Sequence, residues 1–185
     1  MVVLDLDGTI YRKPHMVRYM LCSQWRHLPS LIAERRWRRA QRKAIGNSKI
    51  QRFKDSNPPF SENWYRQSYL PAMVQIIAEH YTPATWLQPL LDECKQRGIK
   101  VVILSDYEAA HDKLHALGID PAMFDAILST GDFGTIKPDP RLGDILKQHI
   151  NNNAALDWRH VLFIGDREDT DGSLAHALGA QFIHV

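Results

Sequence analysis

The stretch Val2-Val3-Leu4-Asp5-Leu6-Asp7-Gly8-Thr9 opens the chain with an apolar run that ends in two carboxylates. Because a strand alternates its side chains with a period of two, Asp5 and Asp7 face the same side, and the glycine that follows suits a turn. Carboxylates that share a small volume raise each other's pKa unless a cation lies between them. The stretch is therefore typical either of a site for a hard cation such as Mg²⁺ or of a strand end whose aspartates begin a turn.

The composition indicates a single domain with a modest insertion. The chain has 185 residues, of which 44% are hydrophobic, and its apolar runs are short. It shows neither a cleavable signal pattern nor a membrane-spanning run, so we expect a cytoplasmic protein. Cys22 and Cys94 stand apart without CxxC spacing, which predicts free thiols in a reducing compartment.

Helices and strands are predicted to alternate from Trp86 to the end of the chain. Short continuous apolar strands separated by helices indicate a parallel sheet that is covered on both faces. The predicted class is therefore a doubly wound α/β fold, in which ligands bind beyond the carboxyl ends of the strands. The predicted strands after the first are Val101 to Leu104, Ala126 to Leu128, Val161 to Ile164 and Gln181 to Val185. The predicted helices run from Trp86 to about Arg97, from Tyr107 to Leu117, from Pro138 to His149 and from Thr170 to Leu178.

More than ninety residues separate the first strand from Val101, which is far more than one crossover connection needs. We therefore predict a helical cap inserted at residues 13–82, with a catalytic core formed by residues 1–12 and 83–185. One cap helix is predicted over Leu31 to Ile45, with Ser30 as its N-cap, and another from Ser61 towards His80, with Pro71 as a break or kink.

The predicted cap is strongly basic and the predicted core is acidic. Residues 12–66 contain fourteen Lys and Arg against three acidic residues. Helical spacing places Ala33, Trp37, Ala40 and Ala44 on an apolar stripe and six bases on the opposite half. Three explanations of these bases stay open: docking on the acidic core, binding of a polyanionic small molecule or phospholipid surface, and binding of nucleic acid. The oligomeric state is not predicted.

Chemically reactive side chains follow the predicted strands. Asp5 and Asp7 follow the first strand, Ser105 the second, Lys137 lies in the loop after the third, and Asp166 follows the fourth. The motifs DLDGT (5–9), ILSD (103–106), IKPDP (136–140) and IGDREDTD (164–171) resemble those of the haloacid dehalogenase-like superfamily. The long insertion after the first motif is similar to the helical C1-type cap of its phosphoglycolate-phosphatase-like branch.

The resemblance implies a division of labour between the first two aspartates. Asp5 corresponds to a nucleophile that forms an aspartyl-phosphate, which divides hydrolysis into two easier steps. Asp7 corresponds to the general acid and base. An ordinary aspartate is a poor acid at neutral pH, so we expect Asp7 to have a raised pKa or to rely on a proton delivered by the substrate.

The resemblance also implies Mg²⁺ as the cofactor. The expected ligands are the carboxylates of Asp5 and Asp166 and the backbone carbonyl of Asp7, with Asp171 orienting a metal-bound water. Asp169 stands just before a predicted helix and is interpreted mainly as its cap.

The remaining predicted positions bind phosphate. Thr9 and Ser105 are expected to donate to phosphoryl oxygens, together with the backbone amide of Asp106, and Lys137 to supply a fixed positive charge. Asp106 departs from the asparagine that is more usual after the serine of this motif.

The second aspartate, Asp7, favours phosphoryl chemistry over dehalogenation. The predicted function is therefore a Mg²⁺-dependent phosphatase acting on a small-molecule phosphate monoester. A phosphomutase, or a protein that binds nucleic acid or an anionic membrane surface through its basic cap, is the alternative.

Overall fold

The computed structural model describes residues 1–46, 58–151 and 156–185. Within these ranges five strands form one parallel sheet in the order β3-β2-β1-β4-β5. The strands are β1 (Val2–Leu4), β2 (Val101–Ser105), β3 (Ala126–Ser129), β4 (Leu162–Gly165) and β5 (Gln181–His184). The predicted doubly wound parallel fold is confirmed.

Helices surround this sheet and fill the long connection between β1 and β2. The helical insertion, as we call the helices between Met16 and His80, comprises α1 to α4; the assignment of residues 13–82 to a separate cap domain stays a prediction. None of the helices in the described ranges is long and apolar enough to cross a membrane. The helices are α1 (Met16–Ser23), α2 (Leu28–Gly46), α3 (Glu62–Trp64), α4 (Leu70–His80), α5 (Leu87–Gln96), α6 (Ala110–Ala116), α7 (Leu142–Asn151) and α8 (Ser173–Leu178).

The register of the central strands brings their carboxyl ends together. Leu4 of β1 pairs with Ile103 of β2 and with Ile164 of β4, and all three strands run in the same direction. The residues that follow these strands, at Asp5, Ser105 and Asp166, therefore lie along one edge of the sheet.

The two faces of the sheet are buried against different helices. Val2 and Leu4 pack into the cluster that includes the helical insertion, α5 and α6, whereas Val3 packs into the cluster that includes α7 and α8. This alternation within one short strand is what a strand buried on both faces requires.

The helix α2 differs from its prediction at its start and on its buried face. It begins at Leu28, so Ser30 lies inside it and is not its N-cap. The proline at position 29 is tolerated there because the amides of the first turn need no partner within the helix. The buried positions include Glu34 and Arg38, while Ala40, assigned to the apolar stripe, is exposed. The stripe is therefore only partly right, because its other three members are half-buried and an ion pair adds polar residues to the buried face.

The second helix of the insertion follows the prediction more closely. The Ser61 side chain accepts a hydrogen bond from the Trp64 amide and caps α3. A π-helical turn (Tyr65–Tyr69) joins α3 to α4. Pro71 is the second residue of α4, next to that turn, so the predicted irregularity is a local widening of the helix. In the core, α7 begins at Leu142 and not at Pro138, because residues 138–141 form turns.

Candidate active site

Asp5 accepts two hydrogen bonds at the edge of the sheet. Lys137 Nζ lies 2.6 Å from its Oδ1, and Thr9 Oγ1 donates to its Oδ2 at 2.9 Å. The carboxylate is 8% exposed. Burial raises the pKa of Asp5 to about 6, against the opposing charge of Lys137. Additional positive charge next to Asp5 would therefore stabilise its ionised form.

Lys137 joins three parts of the site. Besides Asp5, its ammonium donates to Asp171 Oδ1 at 2.6 Å and to the carbonyl of Leu104 at 3.0 Å. Burial would lower the pKa of Lys137, but the charges of Asp171 and Asp5 hold it well above its ordinary value. This side chain is therefore a fixed cation that bridges the loops after β3 and β4.

Asp7 faces a different set of partners from Asp5. Lys113 Nζ lies 2.6 Å from Asp7 Oδ2, the Tyr11 hydroxyl donates to Oδ1 at 2.5 Å, and Ser105 Oγ lies 3.4 Å from Oδ2. Burial would raise the pKa of Asp7, but the ammonium groups of Lys113 and Lys13 hold it below its ordinary value. The expected raised pKa is therefore wrong, and a proton from the substrate is the route that stays open for protonating the leaving group.

An oxygen-rich cluster suited to a hard cation lies beside Asp5. Carboxylate oxygens of Asp5, Asp166 and Asp171 lie within 4.8 Å of one another. Lys13 contacts both Asp166 Oδ2, at 3.1 Å, and the backbone carbonyl of Asp7. Carboxylate and carbonyl oxygens are the ligands that Mg²⁺ prefers, so these residues fit the ion that the family resemblance implies.

Two glycines make the approach of these carboxylates possible. Gly8 has a φ of 107°, and a Cβ there would lie 2.2 Å from Asp166 Oδ2. A Cβ on Gly165 would lie 2.5 Å from the carboxylate of Asp171. Larger residues at either position would displace the acids that the site requires.

Asp106 connects the site to the helical insertion. Its Oδ1 accepts from the backbone amide of Lys137 at 2.9 Å, and its Oδ2 lies 3.2 Å from Arg42. Arg38 donates to the Asp106 carbonyl at 2.8 Å and lies over the ring of Tyr107, with 4.0 Å between the guanidinium carbon and the ring centroid. Asp106 thus holds two arginines of α2, Arg42 through its carboxylate and Arg38 through its backbone carbonyl. These contacts support docking on the core as the explanation for part of the basic charge.

The structure brings the predicted site residues together at one edge of the sheet. They are Asp5, Asp7, Thr9, Ser105, Asp106, Lys137, Asp166 and Asp171. Asp169, which was interpreted mainly as a helix cap, does not cap a helix, because a π-helical turn already begins at Glu168 and the exposed Asp169 side chain pairs with Arg167. The interpretation of Asp169 as a cap was wrong.

Three residues near Asp7 were not predicted. Tyr11 and Lys13 directly follow the first motif, and Lys113 lies on α6 with no solvent exposure. Lys113 occupies the same helix face as Ala110, Leu114 and Leu117, which are all buried. A lysine within an apolar stripe was the signal that identifies it, because a buried ammonium needs an anionic partner.

A cavity of about 920 Å³ opens above Asp5 and Asp7. In the described part of the chain its walls come from the strand ends and from the helical insertion, including Tyr11, Met73 and Arg35. The reactive groups thus lie at the base of a space large enough for a small organic molecule.

The parallel sheet, the acids and lysine at its carboxyl edge, and the helices above them define a doubly wound α/β protein with a charged site at the ends of its strands. The profile of the haloacid dehalogenase-like hydrolases matches residues 1–179. The chain therefore belongs to the haloacid dehalogenase-like hydrolase family, and the resemblance of its motifs is confirmed. A search of curated proteins gives no match.

Solved structures of similar fold include phosphatases and phosphomutases. A predicted phosphoglycolate phosphatase from Haemophilus somnus has 18% identity and a TM-score of 0.69, with 100% of this chain and 84% of that chain covered. CbbY from Rhodobacter sphaeroides, in complex with phosphate, has 16% identity and a TM-score of 0.67, with 99% and 84% covered. A β-phosphoglucomutase from Clostridium difficile has 19% identity and a TM-score of 0.65, with 99% and 82% covered. At these identities the similarity establishes the fold.

Proposed function

We propose that this protein is a Mg²⁺-dependent phosphatase that hydrolyses a phosphate monoester through an aspartyl-phosphate on Asp5. The observation that carries the proposal is the pair of contacts to Asp5. Lys137 and Thr9 hold its two oxygens at 2.6 and 2.9 Å, at the base of an open cavity. A carboxylate fixed in this way is pre-oriented for attack on phosphorus.

The first step is attack by Asp5. One carboxylate oxygen forms a bond to phosphorus while the bond from phosphorus to the ester oxygen breaks, and the leaving alcohol takes the proton that the substrate's phosphate monoanion carries. When the substrate binds, the hydroxyls of Thr9 and Ser105 turn from Asp5 and from the Tyr107 carbonyl to donate to phosphoryl oxygens. Lys137 balances the charge that spreads over these oxygens. The backbone amide of Asp106 is a further donor in this scheme.

The second step is attack by water on the aspartyl-phosphate, which regenerates Asp5 and releases phosphate. Asp7 accepts the proton of that water. Lys113 and Tyr11 hold the Asp7 carboxylate from its two oxygens and keep its pKa low. The ionised form is the one a general base requires before water attacks.

Asp5, Asp166, Asp171 and the carbonyl of Asp7 are the groups that would hold Mg²⁺. When bound, the ion neutralises phosphoryl charge and orients the phosphate in line with the nucleophile. The raised pKa of Asp5, at about 6, is consistent with a nucleophile whose ionised form depends on added positive charge.

Phosphate release from a generic aryl phosphate tests the proposal. The Asp5→Asn variant is expected to lose at least about a thousandfold in kcat. Chelation by EDTA is expected to abolish turnover by the parent protein, with restoration by excess Mg²⁺. Glu93→Gln, at an exposed residue of α5, is the matched carboxylate control and keeps full activity. Full activity of Asp5→Asn, or full activity in EDTA, would refute the proposal.

A phosphomutase is the second candidate, because it uses the same nucleophile but returns the phosphoryl group to the substrate. The fold is shared with β-phosphoglucomutase as well as with phosphatases. Incubation with a panel of sugar phosphates separates the two functions. We expect released inorganic phosphate, whereas isomerised sugar phosphate without release would favour the mutase.

A further inference from the structure

The cavity above Asp5 is much larger than a phosphoryl group requires. Its volume of about 920 Å³ lies in the range of pockets that enclose whole organic ligands. The other side chains that line the cavity therefore indicate which kind of substituent the phosphate group carries.

An apolar wall lines the cavity on the side of the helical insertion. We use this name for Met16, Val17, Met20, Leu31 and Met73, which all line the cavity. Met20, Leu31 and Met73 are each at most 5% exposed, so the wall is sheltered from bulk water. These side chains offer hydroxyl groups no hydrogen-bond partner, so a polyhydroxylated substituent would lose hydrogen bonds to water here. Methionine adapts its shape to flexible apolar ligands.

The apolar wall reaches the surface at Val17. This residue lines the cavity and is 46% exposed. Further exposed apolar residues follow along the chain, with basic residues between them: Leu21, Trp25 and Leu28 are exposed by 39%, 65% and 41%, and Arg18 and Arg26 are exposed as well. A chain longer than the cavity therefore meets both apolar and cationic side chains at the mouth.

Basic side chains of α2 line the same cavity. Arg35, Arg39 and Lys43 are exposed there and, unlike Arg38 and Arg42, make no ion pair with a described residue. Their charge draws an anionic head group towards Asp5. The cavity thus combines a cationic lining with an apolar wall, which is the pattern that suits an amphiphile.

We propose that the substrate is an amphiphilic phosphate monoester, with its phosphoryl group at Asp5 and an alkyl chain along the apolar wall. This inference rests on the proposed phosphatase function and adds the chemical class of the substituent. Burial of each methylene in the apolar wall is expected to raise kcat/KM about fourfold until the wall is covered.

Turnover of n-alkyl phosphates from ethyl to dodecyl, each below its aggregation concentration, tests this inference. From ethyl to octyl, kcat/KM should rise by about fourfold for each added methylene that the wall covers, and so by about sixteenfold once two are covered. Glucose 6-phosphate should be a poorer substrate than octyl phosphate. Phosphatidic acid in phosphatidylcholine vesicles forms a second arm: its turnover would assign a bilayer lipid as the source, and turnover of dispersed alkyl phosphates alone would assign a free amphiphile.

Variants at the mouth of the cavity test whether the apolar wall causes the dependence of kcat/KM on chain length. Met16→Gln and Val17→Ser are expected to lower the octyl-to-ethyl ratio of kcat/KM. Cys22→Ser, at an exposed position of the same helix α1 outside the cavity lining, should leave that ratio unchanged. An unchanged ratio in all three variants would overturn the assignment of the chain to the apolar wall.

Binding to Asp5→Asn, measured by calorimetry with the same alkyl series, separates the inference from the proposed function. Hydrolysis of aryl phosphate without any dependence on chain length would overturn the inference and leave the phosphatase function standing. Absence of all turnover, with affinity that still rises with chain length, would overturn the phosphatase function and support the amphiphile as ligand. Affinity that does not change with chain length would overturn the inference.

Discussion

The carboxyl edge of the sheet and the helix α2 both concentrate charge, but they arrange it differently. At the sheet edge each cation meets specific carboxylates: Lys137 meets Asp5 and Asp171 at 2.6 Å. On α2 only part of the charge is paired, through Arg38 and Arg42, and the other bases face the cavity or solvent. The difference shows that charged side chains at the strand ends have fixed partners. On the surface of α2, by contrast, some bases dock the helix on the core and others stay available to attract a ligand.

Among the variants that test this comparison, removal of Lys137 should have the largest effect, and the effect is on kcat. The Lys137→Met variant leaves Asp5 and Asp171 close together without their shared cation, so we expect kcat to fall by about 10²- to 10³-fold. Phosphate release from an aryl phosphate measures the loss. Lys95→Met, at an exposed position of α5, is the control and should retain activity. A folded Lys137→Met variant with full activity would show that the charge at the sheet edge is dispensable.

Removal of Arg38 tests the paired part of α2. The variant Arg38→Met leaves Glu34, which has no solvent exposure, as an uncompensated buried carboxylate. We expect the free energy of unfolding to fall by about 3 to 5 kcal/mol, as measured by urea denaturation.

Two further variants test whether the buried charge of Glu34 causes the loss of stability in Arg38→Met. Adding Glu34→Gln to Arg38→Met should recover part of the lost stability, because the buried charge is then gone. Arg36→Met, at an exposed position of the same helix, should change the stability little. Equal losses in Arg36→Met and Arg38→Met would remove the distinction between paired and free bases on α2.

A smaller effect is expected at Lys13, where a cation contacts two of the proposed metal ligands. Lys13→Gln removes positive charge from the carbonyl of Asp7 and from Asp166, so Mg²⁺ should bind about tenfold more tightly. Isothermal titration calorimetry measures the affinity directly. Arg12→Gln, at the exposed neighbouring residue, controls for the general change in charge. Unchanged or weaker binding in Lys13→Gln would mean that Lys13 does not compete for these oxygens.

The fold and the sheet edge were predictable because local patterns determine them. The predicted strand from Val101 to Leu104 agrees with β2 to within one residue, since apolar runs between turn signals mark buried strands. Once the strands are placed, parallel register alone brings Asp5, Ser105 and Asp166 to one edge. The resemblance to the haloacid dehalogenase-like motifs added the roles that these residues are expected to have.

The partners of Asp7 and the buried face of α2 were not predictable in the same way. Lys113 is separated from Asp7 by 106 positions in the sequence, and only the packing of α6 against the loop after β1 brings them together. On α2 the apolar residues predicted one buried face, but the docking of Arg38 on Asp106 buries polar residues beside it as well. Contacts between distant segments, and not helical periodicity, determine both the partners of Asp7 and the buried face of α2.

The central claim is that Asp5 becomes phosphorylated during turnover, and acid quenching of the working enzyme tests it most directly. The protein is mixed with an aryl phosphate that carries a radiolabelled phosphoryl group, quenched in acid within the first turnovers, and digested for peptide mapping. We predict label on the peptide that contains Asp5, release of that label by hydroxylamine, and no label on Asp5→Asn. Steady phosphate release with no label on the protein, or with label on another residue, would contradict the claim.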